Sequence, residues 1–250
     1  MRETVVGMFI PVYYREEKVR ACLGALVGIF NENDLELHVR VGYNGGPPTL
    51  LHHLEQPEWY ASFDTYGVYM PGNNVGKPKI VNDMVRTLAA ERRLDYVISL
   101  DSDIIVQGDH WIRRFVDAFE RCKLWRDLGA LSAQQIGECC HVLGDACVKY
   151  KSADLTYTYF HPPRNEGVAG AAILTPYHVW RALGGYPATR IYASDDAHYA
   201  LALHEHGLLM MVVDEVAVLH PPGDEPEYVG WKARAVKDML RPGEERGLYG

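Results

Sequence analysis

Two apolar runs of strand character, residues 5–12 and 37–42, bracket a helix-patterned stretch at 16–30. That order opens a βαβ unit, and it predicts a sheet whose first strands are parallel. A third run at 66–70 passes through Pro71 and Gly72 into a helix expected at 79–92, and residues 95–100 read as a buried strand ending at a carboxylate. Ligands of open α/β sheets sit at the carboxyl ends of the strands, which is where Pro11, Asn44, Asn74 and Asp101 fall.

Beyond this point the pattern loosens. A helix is expected at 109–121 and a strand at 128–133, followed by a polar and aromatic stretch at 134–166. Its length marks it as a long excursion, either a binding loop or lid using Tyr157, Tyr159, Phe160 and His161 or a plain surface insertion. Regular pattern returns at 167–174, with helices expected at 176–183 and 195–206 and a strand at 208–219. The tail after Pro221 carries one expected helix, 228–240, and there is no internal repeat.

At 250 residues, 48% hydrophobic and 23% charged, the chain has enough apolar material for one well-buried α/β core. A net charge of -8 supplies no basic footprint for a phosphate backbone, which argues against nucleic acid as the main partner. No segment reaches membrane-spanning length and the start lacks the apolar core of a signal peptide, so a cytoplasmic location is expected. The cysteines, five in all, are sparse and odd in number, which favours reduced thiols, and the spacing of Cys139, Cys140, His141 and Cys147 fits no standard zinc pattern.

The strongest single feature is the buried strand Tyr96-Val97-Ile98-Ser99-Leu100 running into Asp101-Ser102-Asp103. Two acids spaced by one residue at a strand tip offer hard oxygen ligands to Mg²⁺ or Mn²⁺, whose shells are commonly completed by substrate phosphates. The same acids also suit the cap of the next helix, so the surrounding segments have to decide.

Those segments are Phe9-Ile10-Pro11-Val12-Tyr13-Tyr14-Arg15-Glu16-Glu17, Val41-Gly42-Tyr43-Asn44-Gly45-Gly46, Asn74-Val75-Gly76-Lys77-Pro78-Lys79-Ile80-Val81-Asn82, residues 167–174 around Gly170, Leu183-Gly184-Gly185-Tyr186-Pro187 and Ala193-Ser194-Asp195-Asp196-Ala197-His198-Tyr199. In this order and over about residues 5–220, the chain resembles glycosyltransferase family 2, the largest family of GT-A enzymes, which includes the cellulose, chitin and hyaluronan synthases. The resemblance implies one α/β, Rossmann-like GT-A domain over 1–222, with a mostly parallel central sheet flanked by helices. Residues 1–105 would form its nucleotide-binding half and 106–222 its acceptor half, and 223–250 would be a tail. It implies transfer of a sugar from a UDP- or GDP-type donor to a carbohydrate, glycoconjugate or small-molecule acceptor.

Residue by residue, the resemblance places Pro11, Val12, Tyr13, Glu16, Asn44, Asn74, Gly76, Lys77, Asn82, Asp101, Ser102 and Gly170 around the donor. It gives Asp103, Asp101 and His220 to the metal, Mn²⁺ or Mg²⁺, and makes Asp196 the general base beside Asp195. Chemistry agrees with the residue type, since a sugar hydroxyl is a poor nucleophile that a positioned carboxylate can deprotonate. Either Lys77 or Lys79 would supply a cation for the leaving diphosphate. Taken alone, Asp195-Asp196 reads equally as a helix cap and His220 as a polar strand end. Departures are an asparagine at 44 where an aspartate is common, Val81 for an arginine and Ala202 for an arginine. The glutamine and tryptophan motif of processive synthases is not evident, so processive synthesis is not expected. The 76–79 stretch and His220 also resemble retaining enzymes such as mannosylglycerate synthase. Readings from other classes are a sugar-phosphate nucleotidyltransferase, which would need a basic glycine-rich loop after the first strand, and a noncatalytic nucleotide- or carbohydrate-binding protein.

Overall fold

A computed structural model describes residues 3–29, 35–122, 127–137, 147–152, 155–160, 170–187, 195–223, 226, 229–230 and 234. β1 (Thr4–Val12) is apolar at almost every position because both of its faces are covered. Val6, Met8, Ile10 and Val12 enter one core and Val5 and Phe9 the other. α1 (Glu16–Ile29), α2 (Pro48–Leu54), α3 (Pro57–Ser62) and α5 (Trp111–Cys122) cover the first face. α4 (Lys77–Glu91), α6 (Tyr177–Leu183) and α7 (Asp195–Glu205) cover the second.

The central sheet runs β3 (Thr65–Tyr69), β2 (Leu35–Tyr43), β1, β4 (Tyr96–Leu100), β9 (Ala172–Pro176), β6 (Leu128–Gly137), β10 (Leu209–His220), β8 (Leu155–Phe160), β7 (Cys147–Ser152), with β5 (Ile105–Gln107) paired to β10. β1, β2, β3, β4, β6, β7 and β10 point one way, and β5, β8 and β9 the other. The expected α/β architecture with a mostly parallel sheet is thus what the chain adopts. β9 runs antiparallel between β4 and β6 and joins the all-parallel half to the mixed half. On β10 the pairing with β6 jumps from Val213 to Ala217, so residues 214–216 form an irregularity with no counterpart on β6.

Three regions differ from the sequence expectation. Residues 48–62 carry two short helices, each with a proline in its first turn, where the fixed φ costs nothing because the missing N–H is unused. β5 is a three-residue strand that fastens the segment after Asp103 to β10. The stretch expected as a long excursion contains the β7–β8 hairpin, which extends the sheet past β10. His161 and most of the expected 228–240 helix lie outside the described residues; Val229, Gly230 and Arg234 are helical.

Candidate active site

The carboxyl ends of β1, β2, β4 and β10 meet the first turns of α4 and α7, and most of the polar residues singled out in the sequence gather there. β1 ends in a turn in which Tyr14 and Arg15 both adopt left-handed backbone, φ 54° and 57°. For side-chain-bearing residues this conformation is strained, and such strain collects where geometry matters. Its effect here is to turn Arg15 back onto Asp103, with which it forms an ion pair.

The β2 and β3 turns are tied together by Asn44. Its amide donates to Asn74 Oδ1 at 2.7 Å while its Oδ1 accepts the Val75 N–H at 2.8 Å. Asn74 Oδ1 also accepts the Gly76 N–H at 3.0 Å, so the two residues that lead into α4 are both held. Gly76, with φ 83°, is the N-cap position that aims the next residue, Lys77, into the cleft. Tyr13 stands edge-on to Tyr14, ring centroids 4.7 Å apart, at the mouth of the same turn. Pro11 and Val12 are held below it, the Val12 carbonyl accepting the Asn44 N–H at 2.8 Å. Glu16 faces outward, its carboxylate taking the Thr49 hydroxyl at 2.7 Å and Arg20 at 2.9 Å.

Asp101 and Asp103 leave β4 in different company. Lys77 Nζ lies 2.7 Å from Asp101 Oδ1 and 3.0 Å from Asp195 Oδ2, and it reaches the Gly170 carbonyl at 3.5 Å. Burial works against the ammonium, yet Asp101 and Asp195 carry its pKa well above the ordinary lysine value. Burial pushes the Asp101 carboxyl up to about 6 against the pull of Lys77, and Asp103 adds to the rise. At Asp103 burial loses: the hydrogen bond from His220, Nε2 to Oδ2 3.0 Å, and the Arg15 charge hold the carboxyl well below the usual range. His220 is raised in turn, chiefly by that bond. Ser102 lies buried between the two acids, its hydroxyl without a partner among the described residues.

Asp196 is fixed by two backbone amides, Oδ2 taking the Gly170 N–H at 2.9 Å and Oδ1 the Ala197 N–H at 2.9 Å. Each oxygen keeps a lone pair for a further donor. Gly170 has no room for a side chain, since a Cβ there would stand 2.5 Å from Asp196 Cβ. Asn82 is buried, and both polar atoms of its amide bond the main chain of Tyr186. Lys79 pairs with Asp83 on the helix surface at 2.8 Å, so of the two lysines Lys77 is the one in the cleft. Arg15 was not among the residues singled out by sequence, because a left-handed turn at a bulky residue leaves no pattern to read.

Carboxylate and imidazole are donors that suit a divalent ion, and an ionised Asp103 touching His220 is the part of the site best fitted to one. Among the described residues no three histidine, cysteine or acidic groups are gathered to hold a metal on their own. A site with two protein ligands completed by phosphate oxygens matches how Mg²⁺-type ions are commonly bound.

No family model matches the sequence, and no curated protein matches it. Solved structures do. The chain superposes on the mannosyltransferase PcManGT from Pyrobaculum calidifontis, in complex with GDP-Man and Mn²⁺, with a TM-score of 0.59 at 15% identity over 96% of its length. It matches GalNAc-T7 with UDP, GalNAc and Mn²⁺ with a TM-score of 0.62 at 11% identity over 87%. For residues 1–349 of S. aureus TarS the values are 0.59, 13% and 86%. The chain has the GT-A fold. It spans 66%, 44% and 60% of those three chains respectively. Among the described residues no helix is long and apolar enough to cross a membrane.

Proposed function

We propose that this GT-A chain is a glycosyltransferase that moves a sugar from a UDP- or GDP-type donor to an acceptor hydroxyl with the help of a divalent metal, with inversion and without processive growth. The observation that carries the reading is Lys77. By pairing with both Asp101 and Asp195 it joins the acids at the tip of β4 to the acids at the start of α7, so that a diphosphate and an acceptor would share one cleft. The fold it shares with PcManGT, which holds GDP-Man and Mn²⁺, and with GalNAc-T7, which holds UDP, GalNAc and Mn²⁺, supports the same reading.

In this proposal Pro11, Val12, Tyr13, Asn44, Asn74 and Gly76 shape the nucleotide seat, and Lys77 turns from Asp101 to the diphosphate. Asp103 and His220, with Asp101 once Lys77 has turned, would hold the ion, which supplies Lewis-acid stabilisation of the leaving diphosphate. The imidazole favours Mn²⁺ over Mg²⁺ in that set. Asp196 takes the proton from the acceptor hydroxyl as the bond to the anomeric carbon forms, a contribution on the order of a hundred- to ten-thousand-fold. Residues 1–105 then serve the donor and 106–222, His220 apart, the acceptor.

Calorimetry with a panel of UDP- and GDP-sugars in Mn²⁺ tests the proposal. A donor is expected to bind the wild type, Asp103→Ala to lose metal-dependent binding, and Asp196→Asn to bind normally without transfer. The anomeric configuration of the product, read by NMR, tests inversion. If no donor binds, or if neither substitution has an effect, the proposal is wrong.

A further inference from the structure

Asn82 lies on α4 beyond Lys77 and is only 5% exposed. Its amide donates to the Tyr186 carbonyl at 2.8 Å and its Oδ1 accepts the Tyr186 N–H at 2.9 Å, a two-point hold on the main chain of a residue far away in sequence. Gly185, with φ 89°, makes the approach feasible: a Cβ there would lie 2.3 Å from Asn82 Oδ1. The held residue is itself buried, and its ring stands edge-on to Trp180 of α6 and Tyr199 of α7, with centroids 4.9 and 4.7 Å away. Tyr199 lies one turn beyond Asp195 and bonds Thr175 of β9 at 3.0 Å, which fixes the acid-bearing end of α7 to the sheet. Burial pushes the Tyr186 phenol up, and the charges of Lys77, Asp195 and Asp101 act on it.

We infer that Asn82 and Tyr186 are positioning residues: Asn82 holds the Tyr186 main chain, and the packed Tyr186 ring sets the end of α7 that carries Asp195 and Asp196 against the end of α4 that carries Lys77. The inference rests on the glycosyl-transfer reading for its kinetic consequence. Its structural content stands apart from that reading and is read separately.

Asn82→Ala removes both bonds, and Tyr186→Leu keeps both main-chain bonds while removing the packed ring. With donor and Mn²⁺, kcat for transfer is expected to fall about tenfold or more in Asn82→Ala and to fall in Tyr186→Leu as well, with donor KM within about twofold of wild type in both. Hydrogen exchange followed by mass spectrometry is expected to show faster exchange in the α7 peptide as well as around Tyr186. Should Asn82→Ala fail to fold, Tyr186→Leu carries the test with the same two readouts. Wild-type exchange at α7 in a folded variant overturns the inference, as does a loss confined to donor KM. If wild-type protein turns over no donor, the functional reading falls and the exchange result alone decides the positioning role.

Discussion

Gly170→Ala is the smallest change with a large expected effect. The new methyl would start 2.5 Å from Asp196 Cβ and 3.3 Å from both Asp196 Cγ and Oδ2. Carbon atoms rest about 3.5–4.0 Å apart, so the two segments must separate by roughly 1 Å. Asp196 has little freedom to yield on its own, because Oδ1 is bonded to the Ala197 N–H and Oδ2 to the Gly170 N–H that moves with the clash. A displacement of this size at a reacting group costs on the order of a hundredfold in rate, equivalent to about 2.7 kcal/mol. Overpacking of this kind costs stability by about 1–3 kcal/mol, which for a domain of this size lowers the melting temperature by roughly 2–12 °C. Steady-state transfer kinetics beside donor calorimetry are the assay, with kcat falling about a hundredfold and donor affinity staying within about threefold. A folded Gly170→Ala protein with wild-type kcat would refute the assignment of Asp196.

Lys77→Met takes away the cation between Asp101 and Asp195 and is expected to weaken donor binding roughly 10- to 100-fold by calorimetry, the scale of a lost charge-assisted contact. Arg15→Gln frees Asp103 from a competing internal cation, so Mn²⁺ affinity measured by EPR without nucleotide should tighten about tenfold; unchanged or weaker binding would count against Asp103 as a ligand. His38 is fully buried and burial holds its pKa below the ordinary 6.5 in spite of Glu36, so the folded chain binds fewer protons than the unfolded one. That contribution is complete above about pH 6.5 and is lost as pH falls toward the folded value; the plot of melting temperature against pH should slope less steeply upward in His38→Asn than in the wild type between about pH 5 and 7, with Asp101, its carboxyl raised to about 6, opposing the slope in both. His53 is shifted in the same direction by burial, so the slope is reduced by that variant and not abolished.

The strands and helices that build the parallel half were legible because each is long and buried on a characteristic period. β1 and β4 are apolar at nearly every position, and α4 buries Ile80, Val81, Met84, Val85 and Leu88 at helical spacing. Residues 48–62 hid two helices too short for periodicity to register, although Pro48 and Pro57 at their starts were a usable signal. The β-branched and aromatic alternation of Leu155–Phe160 is strand-like in itself, but its partner β10 lies some fifty residues further on, so its place in the sheet could not be read locally. At the site, residue types and order singled out side chains that the fold brings together at one cleft. What they could not reveal was pairing: that Asn82 faces Tyr186, or that Arg15 folds back on Asp103, follows from tertiary approach.

The break in pairing between β6 and β10 gives residues with no chemical part in the cleft a hold over its composition. Ala217 resumes the ladder after residues 214–216 have been passed over, and His220 takes its orientation from that restart. Successive side chains of a strand alternate between faces, so a deletion at this irregularity that moved the resumed pairing of 217–220 with β6 by one residue would turn the imidazole to the far side of the sheet. Asp103 would then lose its neighbour although every residue at the strand tips was unchanged. Single-residue deletions there are accordingly expected to silence the protein more completely than most substitutions, and length at 214–216 is as much a part of the site as any acid within it.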